Sequence, residues 1–191
     1  MRSSAKSGSM APTVPLDRQS RLERWCSKIG RYPAAMADNP DVVSVERIIP
    51  ALAERIFPLL ADPARHREID GSGTVRDVKP GPTGGSEPLE LGSKFGMNMK
   101  AGIPYSMEST VIEFEENRRI AWQTRPPGIF AKLGGGRIWR YELEPTDGGT
   151  RVRESWDISQ EKIKAIVRPA ANRTREAMAK TLERIEAIVT G

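Results

Sequence analysis

The chain holds one cysteine, Cys26, and one histidine, His66, among 191 residues. A single thiol cannot close an internal disulfide or form a CxxC pair, and it suits a reducing cytoplasm. With only one imidazole besides, zinc and haem lack their usual donors, so no metal or other cofactor is expected. Apolar runs are short too. None reaches the roughly eighteen residues of a membrane-spanning helix, and no stable membrane insertion is expected. No GxxxxGK, GxGxxG, HExxH or GxSxG motif occurs, which removes the usual signatures of phosphate cradles, dinucleotide sites, zinc proteases and serine hydrolases. The glycine run Gly134–Gly136 precedes a strand pattern rather than a helix, and reads as a flexible entry loop.

Positive charge is present but placed wrongly for nucleic acid. The net charge is +5, and residues 1–40 alone hold seven Lys/Arg against three Asp/Glu. The remaining body is nearly neutral and lacks the basic patch that phosphate binding requires, so nucleic acid is not an expected partner. Residues 1–40 are rich in Ser, Pro and Ala, with no apolar periodicity beyond one possible helical turn and no secretory apolar segment. They read as a disordered, dispensable basic arm, with Met36 a candidate true start. One domain is expected from about residue 41 to 190.

From Asp41 the patterning is strong. "DVVSVERII" is β-branched and reads as a strand. "PALAERIFPLLADPARHREI" carries Leu52, Ile56, Leu59 and Leu60 at helical spacing, with Pro58 and Pro63 expected to break it into short pieces. "GTVRDVK" is a second strand, and "PGPTGGSEPLELG" a loop. "SKFGMNMKA" alternates Phe95, Met97 and Met99 with Lys94, Asn98 and Lys100, which sets one apolar face. "YSMESTVIEFEE" and "RRIAWQT" add two strands joined by a tight turn at Glu116–Asn117. "WRYELEPTDGGTRVRESWD" is a hairpin whose connection carries Pro, Asp and Gly turn chemistry. From Ala170, Thr174, Met178, Leu182, Ile185 and Val189 recur at steps of three and four, the stripe of a long amphipathic helix. Consecutive strands with helices at the ends indicate α+β: one helix against a curved seven-stranded antiparallel sheet, with space between them for a pocket.

The segments "VERIIPALAERIFPLLADPARHREIDGSGTVRDV", "LGSKFGMNM", "IAW" and "WRYELEPTDGGTRVRESWD" resemble the START-like SRPBCC helix-grip superfamily. The similarity is greatest to its polyketide cyclase/dehydrase and lipid transport branch, and it spans roughly residues 41–190. The resemblance implies a hydrophobic cavity between sheet and C-terminal helix that takes lipids, polyketides or other small apolar molecules. Binding of such a molecule, with transport as its extension, is the expected function. The alternative is an enzyme, a polyketide cyclase, aromatase or dehydratase using acid–base groups in the cavity; a third possibility is an interaction module that uses its outer surface. Nothing in the pattern specifies the ligand or the oligomeric state.

By pattern alone Phe95, Met97, Met99, Tyr105, Trp122, Trp139, Tyr141, Trp156, Met178 and Leu182 read as plain core; the resemblance makes them the expected lining, which suits methionine and aromatic side chains that mould to apolar ligands. Glu154 is the anomaly. It shares strand parity with Val152, Trp156 and Ile158, so it points inward unless a bulge shifts the register and leaves it solvated. A four-residue hairpin loop sets it opposite Trp139, a six-residue loop opposite Tyr141. A carboxylate there needs a proton or a partner, and Arg47, inward by parity on the first strand, is a candidate. Glu154 with Tyr141 is the expected polar anchor. His66 completes the catalytic candidates, either paired with Asp70 or as a plain loop-capping or surface residue.

Overall fold

The computed structural model describes residues 39–79, 88–132 and 134–191. The N-terminal arm, with Cys26 and Met36, lies outside the described residues, as does most of the loop after the second strand. Seven strands form one antiparallel sheet: β1 (Val42–Ile49), β2 (Val75–Lys79), β3 (Lys94–Ala101), β4 (Ile103–Glu115), β5 (Arg119–Arg125), β6 (Arg137–Thr146) and β7 (Gly149–Asp157). Their order across the sheet is β1-β7-β6-β5-β4-β3-β2, so only β1 leaves its sequence neighbour, crossing to pair with β7. Helices α1 (Ala53–Ala61) and α2 (His66–Ile69) link β1 to β2, and α3 (Lys164–Val167) leads into α4 (Ala171–Thr190). Among the described residues no helix is long and apolar enough to cross a membrane.

Period-two alternation assigns the faces. On β7, Val152, Glu154 and Trp156 are buried on the face toward α4, whereas Arg151 and Arg153 stand outward and pair with Glu144 and Glu46. The outer face carries a charged row, with Arg140 donating to both oxygens of Glu113. On α4 the buried residues are Met178, Thr181, Leu182, Ile185 and Val189, the expected stripe with Thr181 added and Thr174 only half-buried. Ile49, Ile56, Leu60, Val111, Ile120, Val152 and Ile185 fill the principal core. Bulges between Val111 and Glu113, and between Val75 and Asp77, bend the strands and curve the sheet around the helix.

Two local expectations are corrected. Pro58 lies inside α1 and does not break it. Its missing N–H frees only the carbonyl of Glu54, an exposed residue of the first turn, while Ile56, Phe57, Leu59 and Leu60 bury the opposite side. The β6–β7 connection is also shorter than either loop considered: Thr146 pairs with Gly149, leaving Asp147-Gly148 as a two-residue turn with Pro145 inside the strand. Gly149 has φ 126°, and a Cβ there would lie 2.2 Å from the Ile49 carbonyl oxygen, so only glycine fits.

Candidate functional site

A cavity of about 440 Å³ opens between the concave face of the sheet and α4. Met97 and Met99 of β3, Tyr105 and Met107 of β4, and Trp122 and Thr124 of β5 form one wall. Trp139, Tyr141 and Glu154 form the next, and Thr174, Ala177, Met178 and Thr181 of α4 form the roof. The cross-strand register explains the grouping. Met97 lies opposite Met107, Trp122 opposite Trp139, and Tyr141 opposite Glu154. Exposed Ser72, Tyr105, Arg173, Glu176 and Lys180 border the mouth, while Trp122, Tyr141 and Glu154 are buried at depth.

Glu154 is 2% exposed. The hydroxyl of Tyr141 donates to its Oε1 at 2.8 Å, and Oε2 is buried without a hydrogen-bond partner. Burial lifts the Glu154 carboxyl to about 8; the Tyr141 hydrogen bond works against this, and the Asp70 carboxylate adds to it. The Tyr141 phenol is raised well above its ordinary value by the same burial and by the neighbouring carboxyl. Arg47, the expected partner, is elsewhere. It leaves the edge of the sheet to pair with Glu186 of α4, where both side chains meet water. A long side chain on an edge strand reaches solvent despite its parity, because ionic burial is costly.

His66 is neither at the surface nor paired with Asp70. It is 5% exposed, and its Nε2–H donates to the Leu60 carbonyl at 2.9 Å. Its ring stacks on Trp122 with centroids 5.1 Å apart and lines the cavity. Burial pushes its pKa down and keeps the imidazole neutral. Asp70 instead orders its own turn, accepting from the Ser72 backbone and hydroxyl and from the Val75 backbone N–H. The glycine run is tied to the loop after β7: Gly135 N–H donates to the buried carboxylate of Glu161 at 2.6 Å.

Of the expected lining, Met97, Met99, Tyr105, Trp122, Trp139, Tyr141, Glu154 and Met178 meet around the cavity. Phe95, Trp156 and Leu182 stand behind its walls. Phe95 meets His66 and Trp122 edge-on, Trp156 packs among Val43, Trp139, Ile158 and Met178, and Leu182 belongs to the principal core. Sequence reasoning missed Met107, Thr124 and Arg137. Parity alone would have found all three, which continue the Tyr105, Trp122 and Trp139 faces; the loop from Ile69 to Thr74 left no such signal.

Residues 40–190 match the family described as Polyketide cyclase / dehydrase and lipid transport. The uncharacterized protein Rv0088 of Mycobacterium tuberculosis is 38% identical over 121 residues, which are 62% of this chain and 48% of that protein. The chain thus spans about half the length of the curated relatives it matches. Among solved structures, CV1439 from Chromobacterium violaceum superposes with a TM-score of 0.60 at 18% identity, covering 80% of this chain and 99% of that one. Major latex-like protein 151 of Panax ginseng gives 0.58 at 10% identity, covering 78% and 97%. At such identities the likeness shows the helix-grip fold alone.

Proposed function

The chain belongs to the polyketide cyclase/dehydrase and lipid transport family, and from that premise we propose that it binds, and carries, a small lipophilic molecule in the cavity under α4. The observation that carries this reading is the hydrogen-bonded pair Tyr141–Glu154, buried among Met and Trp side chains in a space of about 440 Å³. That volume falls within the range of small-molecule sites, roughly 300–1,000 Å³. Met97, Met99, Met107 and Met178 supply walls that repack around differing apolar shapes. Native mass spectrometry of the purified protein tests the reading: a co-purifying apolar mass, or saturable uptake of an environment-sensitive neutral dye, is expected. An empty protein that takes up no dye would overturn it.

A second reading, a cyclase, aromatase or dehydratase acting on a polyketide-like substrate, draws support from the acid–base groups on the cavity wall. Glu154 holds its proton near neutral pH, and neutral His66 lines the same space. A carboxylic acid with pKa near 8 is suited to giving a proton to a developing oxyanion. Glu154→Gln separates the readings. A carrier should keep its affinity to within about 1 kcal/mol, since the amide still donates, whereas an enzyme should lose about 10²–10⁴-fold in turnover with binding kept.

A further inference from the structure

Buried polar atoms in folded proteins almost always have partners, so one left bare in a residue that lines a cavity calls for a partner, from water or from a ligand. Glu154 Oε2 is such an atom. Its carboxyl is held in place, because Tyr141, directly across the strand pair, donates to Oε1. Oε2 is therefore oriented before any ligand arrives.

The charges around it decide what it offers. On β1 the residue facing Glu154 is Val45, and the one cation of that strand is drawn to Glu186. On β6, Arg137 lies 3.3 Å from the buried Glu161 carboxylate. From the loop after α2, Asp70 faces the same cavity with like charge, and His66 of α2 is neutral with its Nε2–H committed to Leu60. Arg173, Glu176 and Lys180 of α4 are exposed at the mouth. Among the described residues no cation meets the carboxyl, which therefore carries its own proton and offers an O–H donor at Oε2.

Resting on the binding reading above, we propose that the ligand is an uncharged apolar molecule bearing a carbonyl oxygen, and that this oxygen accepts a hydrogen bond from Glu154 Oε2–H while Tyr141 secures Oε1. The site then selects by complementarity. A hydrocarbon leaves the donor unmet, a carboxylate loses its hydration without gaining a cation, and an ammonium must create a buried ion pair at a desolvation cost.

The test uses the full chain and N-phenyl-1-naphthylamine, a neutral dye whose fluorescence rises in apolar surroundings. A ketone, an alkane and a primary amine of equal chain length then compete with the dye. At pH 6.5 the ketone should displace it about tenfold better than the alkane, the ratio one hydrogen bond gives. That advantage should fade as pH rises through about 8, the Glu154 pKa. Glu154→Gln keeps a donor, so it should retain the preference for ketone and lose the pH dependence; Glu154→Leu should bind dye but treat ketone and alkane alike. Equal competition by ketone and alkane in the unaltered protein, or a preference for the amine abolished by Glu154→Gln, would overturn the proposal while dye binding left the cavity reading intact. Failure of the dye to bind would remove both.

Discussion

Glu154 concentrates the chemistry of the protein in one side chain. Its pKa is raised from 4.5 to about 8, so between those values the folded chain holds a proton that the unfolded chain has released. Stability contributed by this group is therefore fullest below 4.5 and is lost as pH rises towards 8. Denaturant titrations from pH 5 to 8 should show that decline, and Glu154→Gln should flatten it; an unchanged slope would place the carboxyl in contact with water. Met97 offers a second test. It is 8% exposed on the inward face of β3, whereas its neighbour Asn98 is half-buried on the other face and accepts from Ser106. Met97→Lys should abolish dye uptake and cost at least about 2 kcal/mol, since an unpaired ammonium is forced among apolar groups. Asn98→Lys should cost under about 1 kcal/mol, beside Lys94 and Lys100 on the same face. Chemical denaturation of both variants checks the pair.

At the scale of elements, the cavity persists because α4 is held against the link between α2 and β2. Gly71 makes that approach possible. Its N–H donates to Thr181 Oγ1 at 3.0 Å, and a Cβ there would lie 2.1 Å from the Ala177 carbonyl oxygen and 2.5 Å from the Thr181 nitrogen. Those are backbone atoms of a helix and cannot yield. Gly71→Ala should therefore push the link off α4, costing about 1–3 kcal/mol as other overpacked sites do, and should weaken dye binding because Asp70, Gly71 and Ser72 border the cavity. A thermal melt and a dye titration on the same sample would check this. An unaltered melting temperature would mean that α4 moves freely relative to the loop.

For the whole molecule, charge and fold are separable. Residues 1–40 carry four of the five net positive charges and show no apolar stripe, so ordering them would cost about 1–2 kcal/mol per residue with little burial to offset it. Removing residues 1–35 should shift the melting temperature by no more than about 2 °C, as calorimetry would measure; a larger fall would show that the arm packs on the body. In residues 41–190, alternation along the strands and the α4 stripe determined the element order, the inward faces and the antiparallel class, because these are local periodicities that every residue repeats. Parity also placed Glu154 inside. What parity could not decide was which neighbour it meets. The two-residue turn at Asp147-Gly148 selected Tyr141 over Trp139, and the position of β1 at the sheet edge let Arg47 escape to Glu186. The burial of His66 on Trp122 and the withdrawal of Phe95 and Leu182 into the core likewise follow from how α1, α2 and α4 close over the curved sheet. Periodicity is a property of one strand or helix at a time. Partners, desolvation and cavity walls are set only when elements distant in sequence share a volume, and only then does the inward glutamate acquire its proton.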